Sequence, residues 1–125
     1  MFVESFSVQL SLPPAEISQN AASPGSWRRK AKAIKCYRAV AKLMCQSAGV
    51  PASCPWRAAT ISVFFYYPDK RRRDLLNTLG ACKPGIDGIV DAGVLTDDDK
   101  IKLGKVDSEI DAADPRVLVF LERLE

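Results

Sequence analysis

Phe2 to Leu12 alternates apolar and polar positions, with Phe6, Val8, Leu10 and Leu12 set against Ser5, Ser7, Gln9 and Ser11. That period of two predicts a half-buried strand, closed by Pro13 and Pro14. Ala15 to Gly25 is rich in Ser, Asn, Ala and Pro and has no apolar period, so it predicts a loop, with Ser26 placed to cap the next element. From Trp27 to Ala48 the period becomes helical. At ~100° per residue, Arg28, Lys32, Lys35, Arg38 and Lys42 gather on one face, while Ala33, Ile34, Cys36, Tyr37, Val40, Ala41 and Met44 fill the opposite, packing face. Gly49 ends this helix, and Val50 to Trp56, with Pro51 and Pro55, reads as a connector.

Thr60 to Tyr67 is dense in β-branched and aromatic residues, which predicts a central strand ending at Pro68. Leu75, Leu79, Cys82, Ile86, Ile89 and Val90 recur at helical spacing, but Gly80, Pro84, Gly85 and Gly88 interrupt it. A kink near Pro84 is expected, or a second short helix opened by that proline. After Gly93 a turn of Asp97, Asp98 and Asp99 leads into a strand from Ile101, and Arg116 to Leu124 predicts a last strand packed on both sides. The expected fold is a single α/β domain over residues 1–125: a mixed β-sheet with a long basic helix and a second helix after the carboxylate loop.

Composition narrows the chemistry more than the fold. The 125 residues are 47% apolar and 26% charged, ordinary for a globular chain, and the net charge is only +3. Any affinity for nucleic acid must therefore come from where the cations sit. The chain has no histidine, which removes Ser-His-Asp and Cys-His catalysis and His-ligated zinc. Cys36, Cys45, Cys54 and Cys82 form no C-x-x-C pair and read as reduced core thiols of a cytoplasmic protein. Glu4 interrupts the first apolar stretch and the run from Ala58 to Tyr67 is too short to span a bilayer, so neither a signal peptide nor a membrane partner is expected.

Lys70, Arg71, Arg72 and Arg73 run straight into Asp74, with Asn77 one helical turn on and the Asp97 to Asp99 run about twenty residues later. Arginine and lysine grip phosphate oxygens, and aspartates are hard ligands for Mg²⁺. The pair of features suggests phosphodiester chemistry. No acid interrupts the helix between Ser26 and Gln46, which favours a phosphate-facing role for its stripe of Arg28, Lys32, Lys35, Arg38 and Lys42. Plainer readings stand beside these: a helix N-cap for Asp74, a solvated turn for the aspartates, a surface lysine at 83 and a solvated face for the stripe.

The residues Tyr67-Pro68-Asp69, the basic run, Arg73-Asp74-x-x-Asn77, Lys83, Asp87-Gly88-Ile89-Val90-Asp91-Ala92-Gly93 and Leu95-x-Asp97-Asp98 resemble the RusA family of Holliday junction resolvases. The resemblance covers roughly Thr60 to Ile101. It implies a homodimeric Mg²⁺-dependent endodeoxyribonuclease that cuts branched, four-way DNA in recombination and repair. By the same resemblance Asp74 and Asp98 are catalytic metal ligands and Lys83 is a functional lysine; apart from the resemblance, Asp97 or Asp99 can supply a further metal oxygen from the same turn. One position departs, since Leu76 occupies the place of a family aspartate, and leucine offers no electron pair to a metal. The alternative is therefore a junction-binding protein with impaired catalysis, and a third reading is a nucleic-acid binder without junction preference.

Overall fold

The computed structural model describes residues 4–18, 26–97 and 100–124. The alternating segment forms β1 (Ser5–Leu10), with Phe6, Val8 and Leu10 buried and their neighbours exposed. A one-turn helix, α1 (Ala15–Ser18), begins where a loop was expected, and the rest of that segment, residues 19–25, lies outside the described residues. The remaining elements are α2 (Ser26–Ala48), β2 (Ala59–Tyr67), α3 (Leu75–Ala81), α4 (Lys83–Asp91), β3 (Ile101–Ile110) and β4 (Arg116–Arg123).

The strands make one mixed sheet in the order β1-β4-β2-β3. β4 runs antiparallel to β1 and β2, whereas β2 and β3 are parallel. Parallel neighbours need a crossover, and α3 with α4 supplies it. β2 is thus an inner strand, and the loop after Tyr67 leaves the sheet at its carboxyl end, where open α/β sheets tend to place ligands.

Trp56, Ile61, Phe65, Ile89 and Leu121 are fully buried in the core. Each such side chain contributes about 1.5–3 kcal/mol by leaving water. Trp56 also ties the connector down: its backbone N–H donates to the Val94 carbonyl (2.8 Å), and its own carbonyl accepts from the Thr96 N–H (3.0 Å). This fixes the chain just before Asp97.

The helix after the basic loop is interrupted at Cys82, and Pro84 sits in the first turn of α4, as its missing N–H allows. α4 lies hard against α2. A Cβ on Gly88 would stand 2.3 Å from the Arg38 carbonyl oxygen and 2.8 Å from the Ala41 Cβ, so only glycine permits this approach. Gly49, at φ +89°, closes α2 in the left-handed region.

Three sequence expectations change here. The packing face of α2 is narrower than the wheel implied: Tyr37, Ala41 and Cys45 are buried, but Cys36, Val40 and Met44 are exposed. The close approach of α4 turns the helix so that its contact seam runs along positions 37, 41 and 45. Cys36 is therefore a surface thiol, and Cys54 is only half-buried. Burial pushes the thiols of Cys45 and Cys82 up to about 11, which keeps both protonated near neutrality. β4 was expected to pack on both sides; Val117, Val119 and Leu121 are buried, but Leu118 and Phe120 on the other face are only half-covered.

Candidate functional site

The loop leaving β2 is organised by one carboxylate. Asp69 accepts from the Arg71 backbone N–H (2.9 Å) and from the guanidinium groups of Arg73 (2.8 Å) and Arg71 (3.3 Å). The Arg71 N–H, followed by Arg73, holds its carboxyl below the usual carboxylate range. Arg73 also donates to the carbonyls of Asp69 and Arg71 (both 3.0 Å), and its guanidinium lies 4.4 Å from the centre of the Tyr67 ring. With 20% of its side chain exposed, Arg73 shapes this loop from within.

The other three cations face solvent. Arg71 keeps 77% of its side chain exposed despite its contact with Asp69. Lys70 and Arg72 are exposed, and no hydrogen bond or ion pair engages them among the described residues.

Asp74 ends the loop in an extended conformation (φ −86°, ψ 111°) and caps α3. Its Oδ1 accepts from the N–H groups of Leu76 (3.0 Å) and Asn77 (3.3 Å), which would otherwise lack partners at a helix start. Oδ2 has no such partner among the described residues. Asp74, Arg72, Arg73, Asn77 and Thr78 line a polar cavity of about 340 Å³, walled by Tyr67 and by Leu12-Pro13 after β1. Thr78 is locked there, donating to the Asp74 carbonyl (3.1 Å) and accepting from the Tyr67 hydroxyl (3.2 Å).

Leu76 is 75% exposed. Its side chain has not been absorbed into the core; it stands in solvent beside the cap.

Lys83 opens α4 and pairs with Asp87 one turn later. Asp87 also lies 3.9 Å from Arg38 of α2, whose guanidinium holds Asp91 in a two-pronged contact of 2.6 and 2.8 Å. That contact keeps the Asp91 carboxyl below its usual range. Lys83, Asp87, Arg38 and Asp97 line a second cavity of about 260 Å³. Lys83 and Asp97 are thus brought together, but not in the cavity lined by Asp74. Asp98 and Asp99 lie outside the described residues.

On α2, Arg28, Lys32, Lys35, Arg38 and Lys42 are all exposed. Arg28 stacks on Trp27 at 5.1 Å, and Arg38 is tied to α4, while no hydrogen bond or ion pair engages Lys32 or Lys35 among the described residues.

No family model matches the sequence, and no curated protein is similar enough to count as a relative.

The residues of the Asp74 cavity fit a hard cation in part. Asp74 offers one oxygen outside its capping bonds, and the Asn77 amide lines the same cavity, both oxygen donors of the type Mg²⁺ takes alongside water. Among the described residues no group of three or more acidic, cysteine or histidine side chains stands together. No structural role was expected of Asp69 from the sequence. Its spacing four before Arg73 carried no signal, since pairs four apart meet reliably only on a helix and this segment is a loop.

Proposed function

We propose that this protein is a Mg²⁺-dependent, structure-specific endodeoxyribonuclease of the RusA type, a cytoplasmic homodimer acting on four-way DNA in recombination and repair. The observation that carries the reading is the junction of two features at the carboxyl end of β2. Three solvent-facing cations, Lys70, Arg71 and Arg72, lead through the inward-turned Arg73 to Asp74, which keeps one carboxylate oxygen outside its capping bonds beside Asn77.

In this reading Lys70, Arg71 and Arg72 hold phosphates and set the register of the backbone, a contact type that carries little sequence information. Junction shape then selects the substrate. Asp74 and Asp98 would hold the cation, with Asp97 lining the separate cavity of Lys83, and Mg²⁺ when bound would supply an activated water and charge stabilisation at the phosphate. Lys83, oriented by Asp87, neutralises charge developing on the phosphate or leaving oxygen. Two symmetric incisions require two such sites, which a two-fold dimer provides.

A second reading is favoured by one observation. With Leu76 75% exposed, the position expected to carry a metal ligand neither donates an oxygen nor serves the core, as in a junction-binding protein whose catalysis has been lost. Labelled four-way DNA incubated with and without Mg²⁺ separates the two. Cutting that requires Mg²⁺ and disappears in Asp74→Asn supports the nuclease; tight binding with no cutting supports the second reading. Leu76→Asp sharpens the test, because at an exposed site the new carboxylate loses little hydration and gains from the α3 N-terminus. The expected result is a raised cleavage rate with an unchanged melting temperature.

A further inference from the structure

We infer that Trp27 is a stacking platform for an unpaired nucleobase, the residue by which this chain tells a branch point from continuous duplex. This deepens the proposed function and rests on its nucleic-acid part alone. The two tryptophans of the chain sit in opposite surroundings: Trp56 is fully buried in the core, whereas Trp27, in the first turn of α2, is 62% exposed. An aromatic side chain that packs in a core removes ~150–250 Å² from water. Most of the Trp27 indole stays in water. The Arg28 guanidinium lies over its ring, 5.1 Å from the centre, so a cation and not the core holds it.

The position of the indole on the helix selects the ligand. At ~100° per residue, Trp27 projects within about 80° of Lys35, Arg38 and Lys42, whereas Val40 and Leu43, the exposed apolar residues further along α2, project about 140–160° away from it. A helix that lies on a lipid surface gathers its apolar side chains on one face and its cations on the other. Trp27 stands on the cationic side, in a helix without a single acidic residue. An aromatic ring among cations matches a nucleic acid with open bases, because every base offers a π-face and its phosphates can meet Lys32 and Lys35, which no hydrogen bond or ion pair engages among the described residues.

Continuous duplex hides base faces, and exposing one requires breaking a stack. At a four-way branch point the stack is already interrupted, so the indole meets a base face without that step. Trp27 stands ~16 Å along the helix from Arg38, which lines the cavity of Lys83 and Asp97, so a single ~34 Å turn of DNA reaches both.

Fluorescence of the full chain, without Mg²⁺ so that no cutting intervenes, tests this. Because Trp56 is fully buried, quenching by acrylamide reports on Trp27. Four-way DNA is expected to quench the Trp27 emission and shield it from acrylamide, and linear duplex to leave it accessible. Trp27→Leu is expected to lower affinity for four-way DNA about tenfold and for duplex less than about twofold, while Trp27→Phe, which keeps a π-face, stays within about threefold of wild type. Selective loss on four-way DNA with rescue by phenylalanine supports the inference. A wild type that binds no DNA ends the nucleic-acid reading and this inference together. Four-way DNA bound with unchanged affinity by Trp27→Leu, or a loss equal on duplex, overturns this inference alone and leaves that reading standing. Anionic phospholipid vesicles that shield Trp27 where four-way DNA does not overturn it as well, and assign the residue to a membrane surface.

Discussion

The loop after β2 and the stripe along α2 carry similar cations, but different parts of the chain hold them in place. In the loop the backbone has no regular hydrogen bonding, so side chains set its path: Asp69 gathers Arg71 and Arg73, and Arg73 is turned inward over Tyr67. In α2 the helix itself spaces the cations, and Arg38, which meets Asp87 and Asp91 of α4, is drawn into an acidic contact. The contrast separates cations that build the surface from cations that the surface presents. Arg73 and Arg38 build; Lys70, Arg71, Arg72, Lys32 and Lys35 are presented.

The strongest way to break that division is to remove the presented cations of the loop. Lys70→Ala, Arg71→Ala, Arg72→Ala in one chain is expected to lower affinity for four-way DNA on the order of a hundredfold at ~0.1 M salt, and to flatten the salt dependence by about 0.9 in slope for each phosphate no longer engaged. Binding isotherms across a salt series measure both. Unchanged affinity and slope would remove this loop from the DNA interface.

Arg73→Ala should act on the fold instead. It deletes hydrogen bonds to Asp69 and to two carbonyls together with the stacking on Tyr67, and is expected to cost about 1–3 kcal/mol of stability. Arg72→Ala, at an exposed position, should stay within about 0.5 kcal/mol of wild type. Urea unfolding of the two variants compares them directly. Equal stability would mean that the loop keeps its shape without Arg73.

Much of this was legible from periodicity. The alternation from Ser5 to Leu10 and the dense apolar run from Ala59 to Tyr67 each carry a local signal strong enough to survive packing, as does the helical run of α2. Pro84 announced the break between α3 and α4 because its chemistry acts on the backbone itself. The orientation of α2 was not legible. It depends on Gly88, more than forty residues from the seam it shapes, and on the space a missing side chain leaves. At the site, the spacing from Asp74 to Leu76 and Asn77 was enough to foresee a cap. The roles of Arg73 and Arg38 were hidden, because a basic run and a basic stripe look the same whether a given cation points outward or meets an acid from another element.

Arg38→Ala is the smallest effect and probes the helix side of the comparison through pH. Arg38 is 48% exposed and Asp91 32%, so their contact belongs among surface pairs and contributes no more than about 1 kcal/mol. Arg38 holds the Asp91 carboxyl below its unfolded value, so the contribution is complete above the ordinary carboxylate range. It is lost as pH falls through the folded value, because the protonated acid no longer gains from the guanidinium. Melting temperatures of wild type and Arg38→Ala should therefore differ most above about pH 5 and converge below about pH 3, on either side of the ordinary aspartate value. Loss of the arginine stem's packing alone would give a difference independent of pH. That outcome would place Arg38 among the presented cations and leave α4 held to α2 by the close approach at Gly88, without help from charge.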